Sequence, residues 1–298
     1  MENYLMLILS TVLLAVSFAL NKVFQLKEGS SIKTGLVYSA IVGFFTAIIF
    51  FAMGGFKMEI TTYAFVMALL KTISGALYTL IGFKIMSKSN VSDYTFFLMM
   101  GGTIVPFIWG VAFLGEDLRI LNLLGLALIA FSLFLTNGSS KKDLSVTLMC
   151  IAVFFLNGMV SVTSKLHQIS PSAIPTNDFV VLSSLINAII CLVASFFFKG
   201  EKNKKKMSGI SIVIILLVAV VGGVSYVLQL NGAKVLDATI CYPIITGGSI
   251  IFTSIVGPIC FKEKMTKKSA IAILISLVGT CMFVDPELYV NLLKALHL

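Results

Sequence analysis

The chain is poor in charge. Only 12% of its 298 residues are Asp, Glu, Lys or Arg, about half of what a soluble domain carries. That deficit excludes an ordinary water-soluble enzyme. Disorder is excluded too, because a disordered chain needs low hydrophobicity and high net charge, whereas 58% of these residues are hydrophobic and mean hydropathy is +1.03. Histidine is nearly absent. His167 and His297 stand far apart, so neither a zinc site nor a histidine proton relay is expected. The five cysteines (Cys150, Cys191, Cys241, Cys260 and Cys281) form no CxxC pair and sit in or at the ends of apolar runs. They are expected to pack as small hydrophobes, with no disulfide, metal or cofactor. The apolar runs contain no HExxH or Asp–Asp arrangement and no serine and lysine in a recognised Ser–Lys protease motif, so an intramembrane enzyme is not expected.

What the chain has instead is apolar length. A bilayer core about 30 Å thick needs about 20 apolar residues per helix. Ten such runs are present: 4–21, 32–53, 60–86, 90–114, 119–136, 144–165, 176–198, 208–233, 237–260 and 266–284. The first is not expected to be a cleaved signal, because Glu2 is the one charged residue before it and no small-x-small cleavage site is convincing. The connections are short and polar, leaving no room for a soluble domain. Net charge is +9. Because the lysines lie between the runs, their anionic partner is expected to be the lipid surface, not nucleic acid.

The basic residues are unevenly shared between the two sides. Of the 22, sixteen fall in the connections 1–2, 3–4, 5–6, 7–8 and 9–10. The other side holds Lys57, Arg119, Lys165, Lys234 and Lys294, while Lys71 lies inside a run. The positive-inside rule then predicts the lysine-rich connections in the cytoplasm and both termini outside, in a multi-pass protein of the plasma membrane.

The chain also repeats itself. The segment FLGEDLRILNLLGLALIAFSLFL from residue 113 aligns with CFKEKMTKKSAIAILISLVGTCMF from residue 260, with Glu116 on Glu263. GFK at 82–84 matches GAK at 232–234, and LAVSFALNK at 14–22 matches NGMVSVTSK at 157–165. Each copy holds five spans, an odd number, so the second copy enters the membrane inverted. Inverted repeats build many secondary transporters, whose substrate site lies near mid-membrane at the repeat interface.

These doubled motifs resemble the ten-helix EamA branch of the drug/metabolite transporter superfamily. The carriers are the glutamate turns Gly115-Glu116-Asp117-Leu118 and Lys262-Glu263-Lys264-Met265, and the span ends at Lys22 and at Gly158 with Lys165. The GxK closing spans 3 and 8 is a further carrier. Leu14-Ala15 stands where relatives have Trp-Gly, and Thr103 and Ile250 stand where many have proline. The resemblance implies an all-α membrane protein of ten transmembrane helices in two inverted five-helix repeats. The first repeat would be 1–138, the second 139–285, and the tail 286–298. It further implies transport of a small metabolite or drug by alternating access, by a monomer. A small multidrug exporter of similar fold trades protons through a glutamate within the membrane. All 13 carboxylates here fall in connections or at span ends, so that mechanism is not expected.

Candidate substrate contacts are the polar side chains within the spans. Lys71 lies about 16 Å into span 3 at 1.5 Å per residue. A charge at that depth faces a cavity, a partner or water. Lys71, Ser74 and Tyr78 share a helix face by their i, i+3, i+7 spacing. Two readings are open: Lys71 attracts a carboxylate or phosphate, or it satisfies backbone carbonyls. Tyr242, Thr246 and Ser249 form a polar stripe on span 9, continued by Thr253; Asn157 and Ser161 in span 6 and Gln229 in span 8 complete the set. Each could contact substrate or bond neighbouring helices. The paired glycines 101–102, 222–223 and 247–248 could be hinges or sites of close packing. The function expected is that of a secondary transporter for a small polar metabolite such as an amino acid. The alternative is a non-transporting membrane scaffold or lipid-handling protein, in which the polar stripes join helices.

Overall fold

In hydrocarbon each backbone N–H and C=O must be satisfied within its own segment, and for a single apolar run that means an α-helix. Ten helices form. The computed structural model describes residues 2–29, 31–86, 91–137, 144–198, 207–261 and 267–284. The helices are α1 (Glu2–Glu28), α2 (Ile32–Met53), α3 (Thr62–Met86), α4 (Val91–Phe113) and α5 (Ile120–Asn137), then α6 (Leu144–Ile169), α7 (Thr176–Phe196), α8 (Gly209–Val235), α9 (Ala238–Phe261) and α10 (Lys267–Cys281). No strand occurs among the described residues. Eight of the helices are long and apolar enough to cross a membrane; within α5 and α10 the shorter apolar stretches are Ile120–Leu135 and Ala270–Cys281. The outer surface is apolar: Leu5, Phe18, Phe155, Ile189, Ile210 and Leu274 are all exposed, as lipid-facing side chains are. The chain is a multi-pass membrane protein.

Two helices outrun the ends of their apolar segments by more than a couple of residues. α1 continues past residue 21 to Glu28, and α6 past residue 165 to Ile169. Lys165 and His167 are therefore helical and buried, not loop residues. The second glutamate turn, at Glu263, and the tail 286–298 lie outside the described residues.

The helix pairings follow a rule. α6 packs on α3 and α4, and α1 packs on α8 and α9. α7 packs on α3, and α2 on α8. Adding five to each helix number, modulo ten, exchanges these pairs; α2–α7, α4–α9 and α5–α10 map onto themselves. Three pairings break the rule. α6 packs on α8, α5 on α9 and α7 on α8, while the counterpart pairs α1–α3, α10–α4 and α2–α3 make no comparable contact.

The paired glycines sit at close helix crossings. A Cβ on Gly101 would lie 2.0 Å from the Phe154 backbone oxygen, and one on Gly223 2.3 Å from the Phe50 ring. Neither crossing accepts a methyl group without movement. Gly101→Ala must separate α4 from α6, since the obstacle is backbone, and overpacking of this kind costs about 1–3 kcal/mol. A lower melting temperature in detergent is the expected result. Gly209→Ala, at the open start of α8 with nothing within 4 Å, should leave it unchanged or slightly raised.

Proline is also accommodated by a neighbour. Pro106 lies inside α4 and has no N–H for the Gly102 carbonyl four residues earlier. Ser161 on α6 donates its hydroxyl to that carbonyl at 3.2 Å.

Candidate functional site

α1, α2, α3, α7 and α8 enclose a cavity of about 410 Å³, touched also by Val160 of α6. That is within the usual range for small-molecule sites. Its one charged lining residue among the described residues is Lys71. The Lys71 ammonium lies 3.8 Å from the centre of the Tyr226 ring and donates to Ser183 Oγ at 3.4 Å. Tyr226 is held by a 3.1 Å hydrogen bond between its hydroxyl and Ser164. No carboxylate lines the cavity among the described residues. The charge is stabilised by an aromatic face and a hydroxyl, both neutral.

The lining runs in one direction from Lys71. Along α3 it continues to Thr79, along α7 to Cys191, and along α2 back to Leu36. On α1 it reaches Asn21, and on α8 it extends back to Val218. Each progression leads to the end carrying connections 1–2, 3–4 and 7–8. The opposite end is sealed. Glu59 N donates to Asp178 Oδ2 at 2.9 Å, Tyr63 OH to the Leu166 carbonyl at 3.1 Å, and Asn177 to the Phe50 carbonyl at 2.9 Å. Beneath these bonds, Phe50, Ala64, Ala68, Ile174 and Phe179 form a dry cluster. His167, fully buried, stacks on Phe179 with ring centres 3.8 Å apart.

A second polar cluster stands at the sealed end. Gly115 adopts φ of +68°, a left-handed conformation that glycine takes without strain, and it turns the chain after α4. The Glu116 carboxylate then accepts from Ala238 N at 2.7 Å and Thr239 N at 2.8 Å. Those are the first two residues of α9, whose N–H groups have no partner within the helix. Lys165 donates to the Ala233 and Leu236 carbonyls at 2.9 and 2.7 Å, which the end of α8 leaves over. Its Nζ lies 4.0 Å from Glu116 Oε1. One buried acid and one buried base thus hold both sides of the α8–α9 turn. Gly110 makes room for them: a Cβ there would lie 2.3 Å from Glu116 Oε2.

Of the residues expected to contact substrate, Lys71 and Tyr78 line the cavity. Ser74 is on α3 but outside the lining. The others are engaged elsewhere. Asn157 donates to the Leu98 carbonyl at 2.7 Å, and Ser161 to Gly102 as described. Tyr242 OH donates to the Ser161 carbonyl at 2.6 Å, and Thr246 shares a 2.6 Å hydrogen bond with Thr103. Ser249 bonds the Ile245 carbonyl of its own helix, and Gln229 donates to Ser225. The α9 stripe therefore faces α4 and α6 and joins helices. Lining residues absent from that expectation are Ser183, Ser184 and Asn187 on α7 and Tyr226 on α8. The spacing of the α7 trio within an apolar span was an available signal.

Residues 144–284 match the EamA-like transporter family. No curated protein sequence matches the chain. A solved crystal structure of a protein is similar over 94% of each chain, with a TM-score of 0.76 at 13% identity. At that identity the likeness concerns the fold alone.

Proposed function

We propose, from the match of residues 144–284 to the EamA-like transporter family, that the chain is a secondary transporter of a small polar metabolite, such as an amino acid, working by alternating access. The observation that carries this reading is a cavity with one lysine at its blind end, sealed on one side and continued on the other. Two inverted halves, 1–138 and 139–285, account for the exchange of helix pairs on adding five. In that scheme the α6–α8 contact closes one end, and closure of α1 against α3 would seal the other while the first opens. A single chain holds both halves, so a monomer suffices in the bilayer. No cofactor enters the scheme.

The lysine-rich connections lie at the end to which the cavity runs, so the positive-inside rule directs it to the cytoplasm, with both termini outside the plasma membrane. Cysteine introduced at Asn203 in the 7–8 connection, on a background without native cysteines, should resist an impermeant thiol reagent in intact cells. Ready labelling there, with protection of a tail cysteine, would reverse the orientation.

The scaffold reading draws support from the polar residues joining helices, Asn157, Ser161, Tyr242 and Thr246. It leaves a lysine without a carboxylate in a cavity unexplained. Thermal unfolding across a metabolite library separates the two: a transporter is stabilised by its substrate through mass action, and a scaffold responds to none.

A further inference from the structure

The charge inventory of the cavity narrows the cargo. Among the described residues the lining contains one cation, Lys71, and no Asp or Glu. The nearest partners of Lys71 are the Tyr226 ring at 3.8 Å and Ser183 at 3.4 Å. Both help disperse a positive charge, but neither neutralises it. In a low-dielectric site a buried ion needs a counter-charge as well as hydrogen bonds. Different cargoes leave different residues of charge. A singly charged organic acid gives a neutral complex with Lys71. A zwitterion brings an ammonium into the cavity of an existing ammonium, where Ser184, Asn187 and the tyrosines offer it only neutral acceptors. A dianion leaves one charge uncompensated, and a cation adds to the existing one.

We infer that the cavity is selective for monoanionic organic acids, with the carboxylate on Lys71 between Tyr226 and Ser183, and that it discriminates against zwitterions, dianions and cations. This rests on the transporter reading of the cavity, keeps its small polar metabolite, and replaces the zwitterionic amino acid given there as the example with a monocarboxylate. Ser183 is a specificity-determining contact in the same scheme, because its hydroxyl orients the ammonium that meets the carboxylate.

The test uses purified full-length protein and two matched ligand series. The first is lactate, glycerol 3-phosphate, alanine, lactamide and 1-amino-2-propanol. The second is phenyllactate, phenylalanine and phenyllactamide. Thermal stabilisation gives relative affinities, and flux into proteoliposomes is measured on the same preparation. In at least one series the monocarboxylate should bind at least tenfold more tightly than its zwitterionic, dianionic, neutral or cationic counterparts. Lys71→Arg should keep that order, and Lys71→Met should abolish it. Equal or tighter binding of alanine, phenylalanine or glycerol 3-phosphate overturns the inference, as does the absence of a shift with every compound. The wild-type ranking stands even where a variant fails to fold. Monocarboxylate binding without flux would overturn the transporter reading and leave the selectivity intact. Alanine flux that survives in Lys71→Met would do the reverse.

Discussion

Glu116→Ala is expected to be the most destabilising single exchange at the sealed end. The wild-type carboxylate satisfies two N–H groups at the start of α9 and stands beside a buried lysine. Its removal orphans the two donors and leaves Lys165 on the Ala233 and Leu236 carbonyls without the carboxylate beside it. Leaving a buried donor unsatisfied costs about 1–3 kcal/mol per group, and two are orphaned here. Glu116→Gln should cost less, since one amide oxygen still accepts, though its amino group now opposes the second N–H. Lys165→Met removes the charge but keeps the stem. The hydrogen bonds to backbone are short and the Glu116–Lys165 separation is 4.0 Å, so most of the cost lies in the orphaned backbone groups. A double-mutant cycle on thermal stability should therefore give a coupling of about 0.5–1 kcal/mol, well below the cost of either single change. A coupling as large as the single losses would show that the ion pair itself dominates.

Lys71→Met is expected to abolish transport and leave the fold intact. The methionine keeps most of the stem's volume and apolar contacts. A charge inside a span costs about 3 kcal/mol on insertion scales, so removing one that only a ring face and a hydroxyl support should hold or raise the melting temperature. If the ammonium instead served the fold, the melting temperature would fall and residual transport would track the amount of folded protein. Both quantities measured on one preparation decide between these. Near-normal transport by a well-folded Met variant would remove Lys71 from the site.

The helices were legible because each must satisfy its backbone within one apolar run, and such runs are visible in composition alone. Their ends were less so. Lys165 marked a boundary by its charge, yet α6 continues because carbonyls at the end of α8 and the Glu116 carboxylate receive that charge. Those partners are 49 or more residues away in sequence, beyond the reach of any local pattern. The same limit governs the site. Lys71 stood out because an ammonium in a span cannot be satisfied by its own helix. Hydroxyls can be, or can bond a neighbour, so the sequence leaves the α9 stripe of Tyr242, Thr246 and Ser249 open to either role, and the structure gives it contacts with α4, α6 and its own backbone. Ser183, Ser184 and Asn187 are of the same chemical kind. Only the position of α7 beside α2 and α3 turns them toward the cavity.

The account turns on whether the cavity at Lys71 carries solute across the membrane, and flux through reconstituted protein measures that most directly. Purified protein in proteoliposomes, loaded with one unlabelled organic acid at a time and given trace radiolabelled acid outside, should show saturable exchange with at least one monocarboxylate. Lys71→Met in equal folded amount should fall to the level of protein-free vesicles. Flux indistinguishable from empty vesicles for every acid and amino acid tried, with protein that unfolds cooperatively and at its full melting temperature, would contradict the account and favour a helix scaffold.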